Sequence, residues 1–280
     1  HCATMEAASG STARGDRVDG DVADYIDGMR RLWGLGDYTG LAGRLASAAA
    51  VLVEEAAPAD GARVLDLAAG TGNVAVLAAA RGARVVAGDL SPRMVELGRV
   101  RTAGLPVDWI EADAEDLPLP DGSVEAVLSA FGLIFVPRPA VALAQARRIL
   151  VPGGLLAFTA WLPDGFIGEM TELMRQWLPA RPGIADVLDW GREPVVREWL
   201  AAAGFEQVRL RRAALPWHFD SPAAMTTFFR THSPSHQAAA DALGEQAAEM
   251  FTAVERLASP DGGPVRVDAE YLVVTARLPG

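Results

Sequence analysis

The chain has 280 residues, half of them hydrophobic and 22% charged, which supplies a sizeable buried core and excludes disorder for its bulk. Its 25 basic and 36 acidic residues leave a net charge of −11, so neither nucleic acid nor an anionic membrane surface is expected as a partner. Every basic residue is arginine, which excludes lysine chemistry, and the single Cys2 allows no intrachain disulfide and no thiolate metal cluster.

Residues 1–4 precede Met5 and are expected to be a remnant ahead of the natural start, and the small, polar stretch to residue 20 is expected to be flexible. Tyr25, Ile26, Met29, Leu32 and Trp33 then recur at helical spacing up to Gly34-Leu35-Gly36. A second periodic set, Leu41, Leu45, Ala48, Leu52 and Val53, ends near Pro58 and Gly61, so residues 21–60 form an N-terminal helical segment. Over 61–162 the pattern changes. Short apolar runs at 63–68, 84–89, 107–111, 124–129 and 155–161 alternate with helical stretches at 73–81, 92–102 and 139–149. Such alternation predicts a doubly wound α/β fold, with ligands outside the carboxyl ends of a parallel sheet. Beyond residue 163, helices are expected at 166–178, 193–203, 221–230 and 236–257. Extended runs at 206–217 and 264–276 are interleaved with them, and the whole is read as an antiparallel extension of the sheet with a helical cap. No apolar run approaches the roughly 20 residues of a membrane span. A cytoplasmic location is expected, and a homo-oligomer is compatible with the sequence.

The most informative stretch is Val64-Leu65-Asp66-Leu67-Ala68-Ala69-Gly70-Thr71-Gly72-Asn73-Val74-Ala75, an apolar strand entering a tight turn and then a helix. Glycines let the backbone approach a ligand closely. Asp89 ends the next strand, where a carboxylate can accept both hydroxyls of a ribose. The third strand ends in Glu111-Ala112-Asp113-Ala114, and an Asp there can accept from an adenine amino group. Three such features on consecutive strand ends make an adenosine pocket. Asp66, a carboxylate inside an apolar strand, needs a donor. It also argues against a pyrophosphate, which it would repel.

These segments resemble the class I S-adenosylmethionine-dependent methyltransferases, and in particular their small-molecule branch, like the ubiquinone and menaquinone biosynthesis enzymes. Residues 66–72 resemble the family's first motif, 85–93 its acidic strand end and 110–119 its adenine loop. Arg147-Arg148-Ile149-Leu150-Val151-Pro152-Gly153-Gly154 resembles the turn before the fifth strand. The resemblance implies a Rossmann-like seven-stranded sheet with the last strand antiparallel, and S-adenosyl-L-methionine as cofactor. It further implies that Asp66, Ala68, Gly70, Gly72 and Leu90 line the cofactor, that Asp89 holds the ribose, and that Asp113 and Ala114 hold the adenine. Ser129 and Phe131 would face the sulfonium, and Tyr38 would belong to an N-terminal lid. Ala68 departs from the family, standing where many members have the first glycine.

A sulfonium is already an activated electrophile, so alignment supplies much of the catalysis and no metal is expected. A base is needed only where the acceptor loses a proton, and the candidates are His218, His232 and His236. Glu169 and Arg175 are further candidates for polar pocket residues. Trp161, Phe166, Trp177, Trp190, Trp199 and Trp217 would furnish a hydrophobic chamber. The expectation is a methyltransferase acting on an apolar or aromatic small molecule, in specialised metabolism. The residues alone leave open an NAD-dependent oxidoreductase, because Gly70 to Ala75 also fits G-x-G-x-x-A, and a module that binds the cofactor without turnover.

Overall fold

The structure is a computed structural model that describes residues 9–280, with side chains described from Gly20 onward; the 1–4 stretch and Cys2 lie outside the described residues. Helices α1 (Ser9–Leu32) and α2 (Thr39–Ala56) precede the sheet. Helix α1 therefore begins inside the stretch expected to be flexible. No proline between residues 9 and 32 stops it from extending toward the N-terminus.

The alternating core follows as β1 (Arg63–Leu67), α3 (Asn73–Ala80), β2 (Arg84–Asp89), α4 (Pro92–Arg101), β3 (Val107–Glu111), β4 (Val124–Ala130), α5 (Pro139–Ile149) and β5 (Leu150–Trp161). The C-terminal part comprises α6 (Phe166–Met174), α7 (Glu193–Ala202), β6 (Glu206–Phe219), α8 (Pro222–His232), α9 (Pro234–Leu243), α10 (Ala247–Ala258) and β7 (Val265–Arg277). The single helix expected at 236–257 is two helices. Gly244 breaks it, with φ 55° and ψ −122°, a backbone conformation outside the helical region.

The seven strands form one sheet in the order β3-β2-β1-β4-β5-β7-β6. The first five run parallel, and β7 is antiparallel to both β5 and β6. Val64, Leu65 and Leu67 are buried, as expected of a central strand covered on both faces. The order reverses between β1 and β4, the place where such sheets open a crevice. Register puts Leu67 beside Gly88, and Asp89 beside Glu111, so the carboxyl ends of β1, β2 and β3 lie side by side. Among the described residues no helix is long and apolar enough to cross a membrane.

Candidate functional site

After Leu67 the chain turns through Ala68, Gly70 and Gly72, with φ of 53°, 56° and 85°. Glycine adopts this left-handed region freely, whereas alanine does so at a cost of about 1–2 kcal/mol. The Ala68 methyl finds room because Gly132 faces it. A Cβ on Gly132 would lie 2.5 Å from the Ala68 Cβ and 2.6 Å from its carbonyl oxygen. On the other side Tyr38 covers the turn, its ring 3.1 Å from where a Cβ on Gly70 would stand.

Asp66 is 1% exposed, and its Oδ2 accepts from the Ala75 N–H of α3 at 2.9 Å. Burial pushes its carboxyl up to about 7; the Ala75 N–H and Arg101 oppose that shift and the Asp89 charge adds to it. Asp89 accepts from Gly70 N–H at 2.7 Å and from Ser91 N–H at 2.9 Å, one bond on each oxygen. Burial lifts it to about 6 against these two bonds. Both oxygens retain capacity for further donors. Burial, with the charges of Asp89 and Asp66, also raises the Tyr38 hydroxyl above its ordinary value. Among the described residues neither carboxylate has an ion-pair partner within 4.0 Å. Two buried carboxylates in this condition favour a cationic ligand and repel a diphosphate.

Toward β3 a cavity of about 60 Å³ is bordered by Leu67, Ala68, Leu90, Ala112, Asp113 and Ala114, with Tyr25, Ile26 and Met29 of α1 against it. Asp113 accepts from Glu115 N–H at 2.9 Å, which holds the loop. The buried Glu115 carboxylate accepts from the Arg138 backbone N–H at 2.6 Å and its guanidinium at 2.7 Å, tying this loop to the chain entering α5. A void of about 20 Å³ lies beside Asp66, Ala68, Thr71 and Tyr38, so Ala68 borders both spaces. Ser129 borders neither. It is fully buried, and its hydroxyl accepts from Leu133 N–H at 2.9 Å. A tight turn follows β4, and its free N–H takes up the hydroxyl.

A larger cavity of about 390 Å³ opens past Tyr38. Trp33 stands edge-on to both Tyr38 and Phe135 at its near end, with centroids 5.8 and 4.9 Å apart. Phe131 stacks on Trp161 at 3.9 Å, Trp161 meets Trp217 at 6.2 Å, and Trp217 meets Phe229 at 5.7 Å. One face of the cavity is therefore aromatic, while Leu41, Leu45, Ile134, Ile167, Met170 and Met174 give aliphatic surface and Arg175, Arg181 and Asp186 a charged edge. Arg175 borders it but is engaged by Asp186 and, at 2.6 Å, by Glu172. Glu169 is exposed and does not border it.

A methyltransferase-domain family model matches residues 65–158. The uncharacterized protein Rv1405c of Mycobacterium tuberculosis is 34% identical over 259 residues, 88% of this chain and 93% of that one. The demethylmenaquinone methyltransferase of Clavibacter sepedonicus is 37% identical over 171 residues, 55% of this chain and 70% of that one. Among solved structures, YcgJ of Bacillus subtilis matches with a TM-score of 0.58 at 16% identity, over 83% of this chain and 98% of that one, a likeness of fold. The chain belongs to the class I S-adenosylmethionine-dependent methyltransferases.

Of this methyltransferase's three candidate bases, the structure brings one to the chamber. His236 borders it, stacked on Phe229 at 4.7 Å, with Nδ1 2.8 Å from Ser233 Oγ and Nε2 buried without a partner. Burial drops its pKa to about 4. His218 sits exposed on β6, and His232 turns toward α2, with Nδ1 2.9 Å from the Asp37 carbonyl oxygen. Neither borders the chamber: alternation along β6 sends His218 to the solvent face, and Asp37 in the α1–α2 link engages Nδ1 of His232. Trp217, which also lines the chamber, has its Nε1–H buried without a partner. Sequence reasoning placed Trp217 among the aromatics of the chamber, and missed Ser233 and the α1 residues beside Asp113. The Ser-x-Ser-His run at 233–236 was the one signal for the serine.

Proposed function

We propose that this methyltransferase methylates an apolar, aromatic small molecule bearing an ionisable hydroxyl. The observation carrying this reading is the chamber itself, where the aromatic face formed by Phe131, Trp161, Trp217 and Phe229 is joined by the buried imidazole of His236. An aromatic acceptor matches that face, and a hydroxyl on it is the group for which a neutral imidazole can act as base. The name of the Clavibacter relative supports an apolar acceptor.

When bound, S-adenosylmethionine supplies a methyl group made electrophilic by its sulfonium. Asp89 would hold the ribose hydroxyls, Leu90, Asp113 and Ala114 the adenine, and Gly70 and Gly72 would leave room for close backbone approach. Asp66, Ala68 and Tyr38 would meet the methionine end, where the buried carboxylates suit its positive charge. The aromatic walls exclude water and align the acceptor, and alignment of this kind is worth about 7–11 kcal/mol in favourable cases. Burial keeps His236 neutral near neutral pH, so its imidazole is in the state that can take up the hydroxyl proton. A weak base suffices, because a hydroxyl becomes strongly acidic as its oxygen bonds to carbon. Loss of that proton as the oxygen–methyl bond forms leaves a neutral methyl ether.

The test supplies methyl-labelled cofactor with hydroxylated aromatics and with their counterparts lacking the hydroxyl, and reads product mass. Label is expected only in the hydroxylated series, on oxygen. Transfer to neither series, or equal transfer to both, refutes the reading.

A further inference from the structure

The link between α1 and α2 carries Tyr38, yet it is held by the distant junction of α8 and α9. Asp37 N–H donates to the Thr231 carbonyl at 3.4 Å. His232 Nδ1 lies 2.9 Å from the Asp37 carbonyl oxygen and 3.4 Å from its carboxylate. A carbonyl only accepts, so Nδ1 bears the proton. The ring fills the space over Gly40 in the first turn of α2, where a Cβ would stand 2.5 Å from Nδ1 and 2.6 Å from Cγ. Phe228 packs against it, with centroids 4.8 Å apart. His232 thus touches neither the chamber nor the strand-end cavities. One residue beyond Asp37, however, Tyr38 covers the glycine turn, and four residues beyond His232, His236 borders the chamber.

We propose that His232 is a positioning residue that latches the Tyr38 segment to the α8–α9 junction, so that the cover of the cofactor turn and the wall of the acceptor chamber move as one unit. With the latch made, Tyr38 is already ordered before the cofactor arrives; without it, binding must supply that ordering and affinity falls. The proposal rests on the cofactor placement given above, and the experiment separates the two.

S-adenosylhomocysteine binding is measured by calorimetry on the full chain for wild type, His232→Ala, His232→Asn, Gly40→Ala, the Gly40→Ala/His232→Ala pair and Asp89→Asn, with thermal midpoints alongside. His232→Ala should weaken binding about fivefold to tenfold, the scale of one hydrogen bond, and His232→Asn should restore it to within about twofold, because its amide N–H takes the place of Nδ1–H. Gly40→Ala displaces the ring and should match His232→Ala. The double variant should be no worse than His232→Ala, since the ring that meets the new methyl is gone. Wild-type affinity in His232→Ala, equal loss in the Ala and Asn variants, or additive losses in the double variant overturns the latch. If His232→Ala does not fold, wild-type affinity in Gly40→Ala overturns it instead. Loss in Asp89→Asn beside an unaffected His232→Ala rejects the latch alone, whereas wild-type affinity in Asp89→Asn rejects the cofactor placement.

Discussion

Asp66→Asn keeps the side chain's size and an oxygen for the Ala75 N–H while removing a buried charge. Burial, with the Asp89 charge adding to it, lifts Asp66 from the ordinary 3.8 to about 7. The folded state therefore binds this proton more tightly than the unfolded chain does, and ionising it costs stability. That cost is absent below about pH 4, grows between about pH 4 and 7, and is constant above. A shift of about three units at ~1.4 kcal/mol per unit sets a ceiling of ~4 kcal/mol. Asp66→Asn should accordingly be more stable than wild type at about pH 8, by up to that amount, with the difference vanishing near pH 4. Cofactor binding should move the other way. A cationic ligand favours the ionised carboxylate, so wild-type affinity should climb with pH by up to about tenfold per unit below pH 7 and then level, while the variant binds weakly and with a flatter profile. Denaturant unfolding at several pH values gives the first quantity and calorimetry with S-adenosylmethionine the second. An Asn variant less stable than wild type at the alkaline end, or a wild-type affinity indifferent to pH, would refute the reasoning.

Asp89→Asn removes the charge and replaces one acceptor with an NH2 group, and should weaken S-adenosylhomocysteine binding by at least about tenfold in calorimetry, the cost of a hydrogen bond to a charged group; unchanged affinity in a folded variant removes Asp89 from the ribose site. Ala68→Gly relieves a left-handed alanine and should gain about 1 kcal/mol, read as a thermal midpoint a few degrees higher. Gly132→Ala, whose methyl would meet Ala68 at 2.5 Å, should instead lose stability, by about 1–3 kcal/mol. At saturating cofactor and acceptor, turnover should stay flat as pH falls to about 5, because burial holds His236 near 4; a decline centred at the ordinary imidazole value of about 6.5 contradicts its neutral state. His236→Ala should depress turnover about a hundredfold with cofactor affinity kept, and full activity in that variant removes it from the mechanism.

Much of the core was readable because its signals are local. The apolar runs that became β1 to β4 and the helices between them are periodic patterns bounded by glycine, proline or acidic residues. Strand β5 begins at Leu150, earlier than the run at 155–161, because Pro152-Gly153-Gly154 looks like a turn and is absorbed into the strand where its pairing shifts. The break at Gly244 was hidden for a related reason. An alanine-rich periodicity runs straight through it, and only the backbone angles mark where the helix ends.

Taken alone, the order of residues determined the Rossmann-like core, the glycine turn and the acidic strand ends, since each depends on neighbours within a few positions of the chain. Tertiary structure alone decided the fates of the side chains. His218, His232 and His236 are equivalent in sequence, yet one faces solvent, one grips the chain beside Tyr38 and one borders the chamber. Ser129 is claimed by a turn, and Ala68 is tolerated because a glycine distant in sequence leaves it room. Those outcomes depend on which surfaces pack together, and packing joins residues that local pattern keeps far apart.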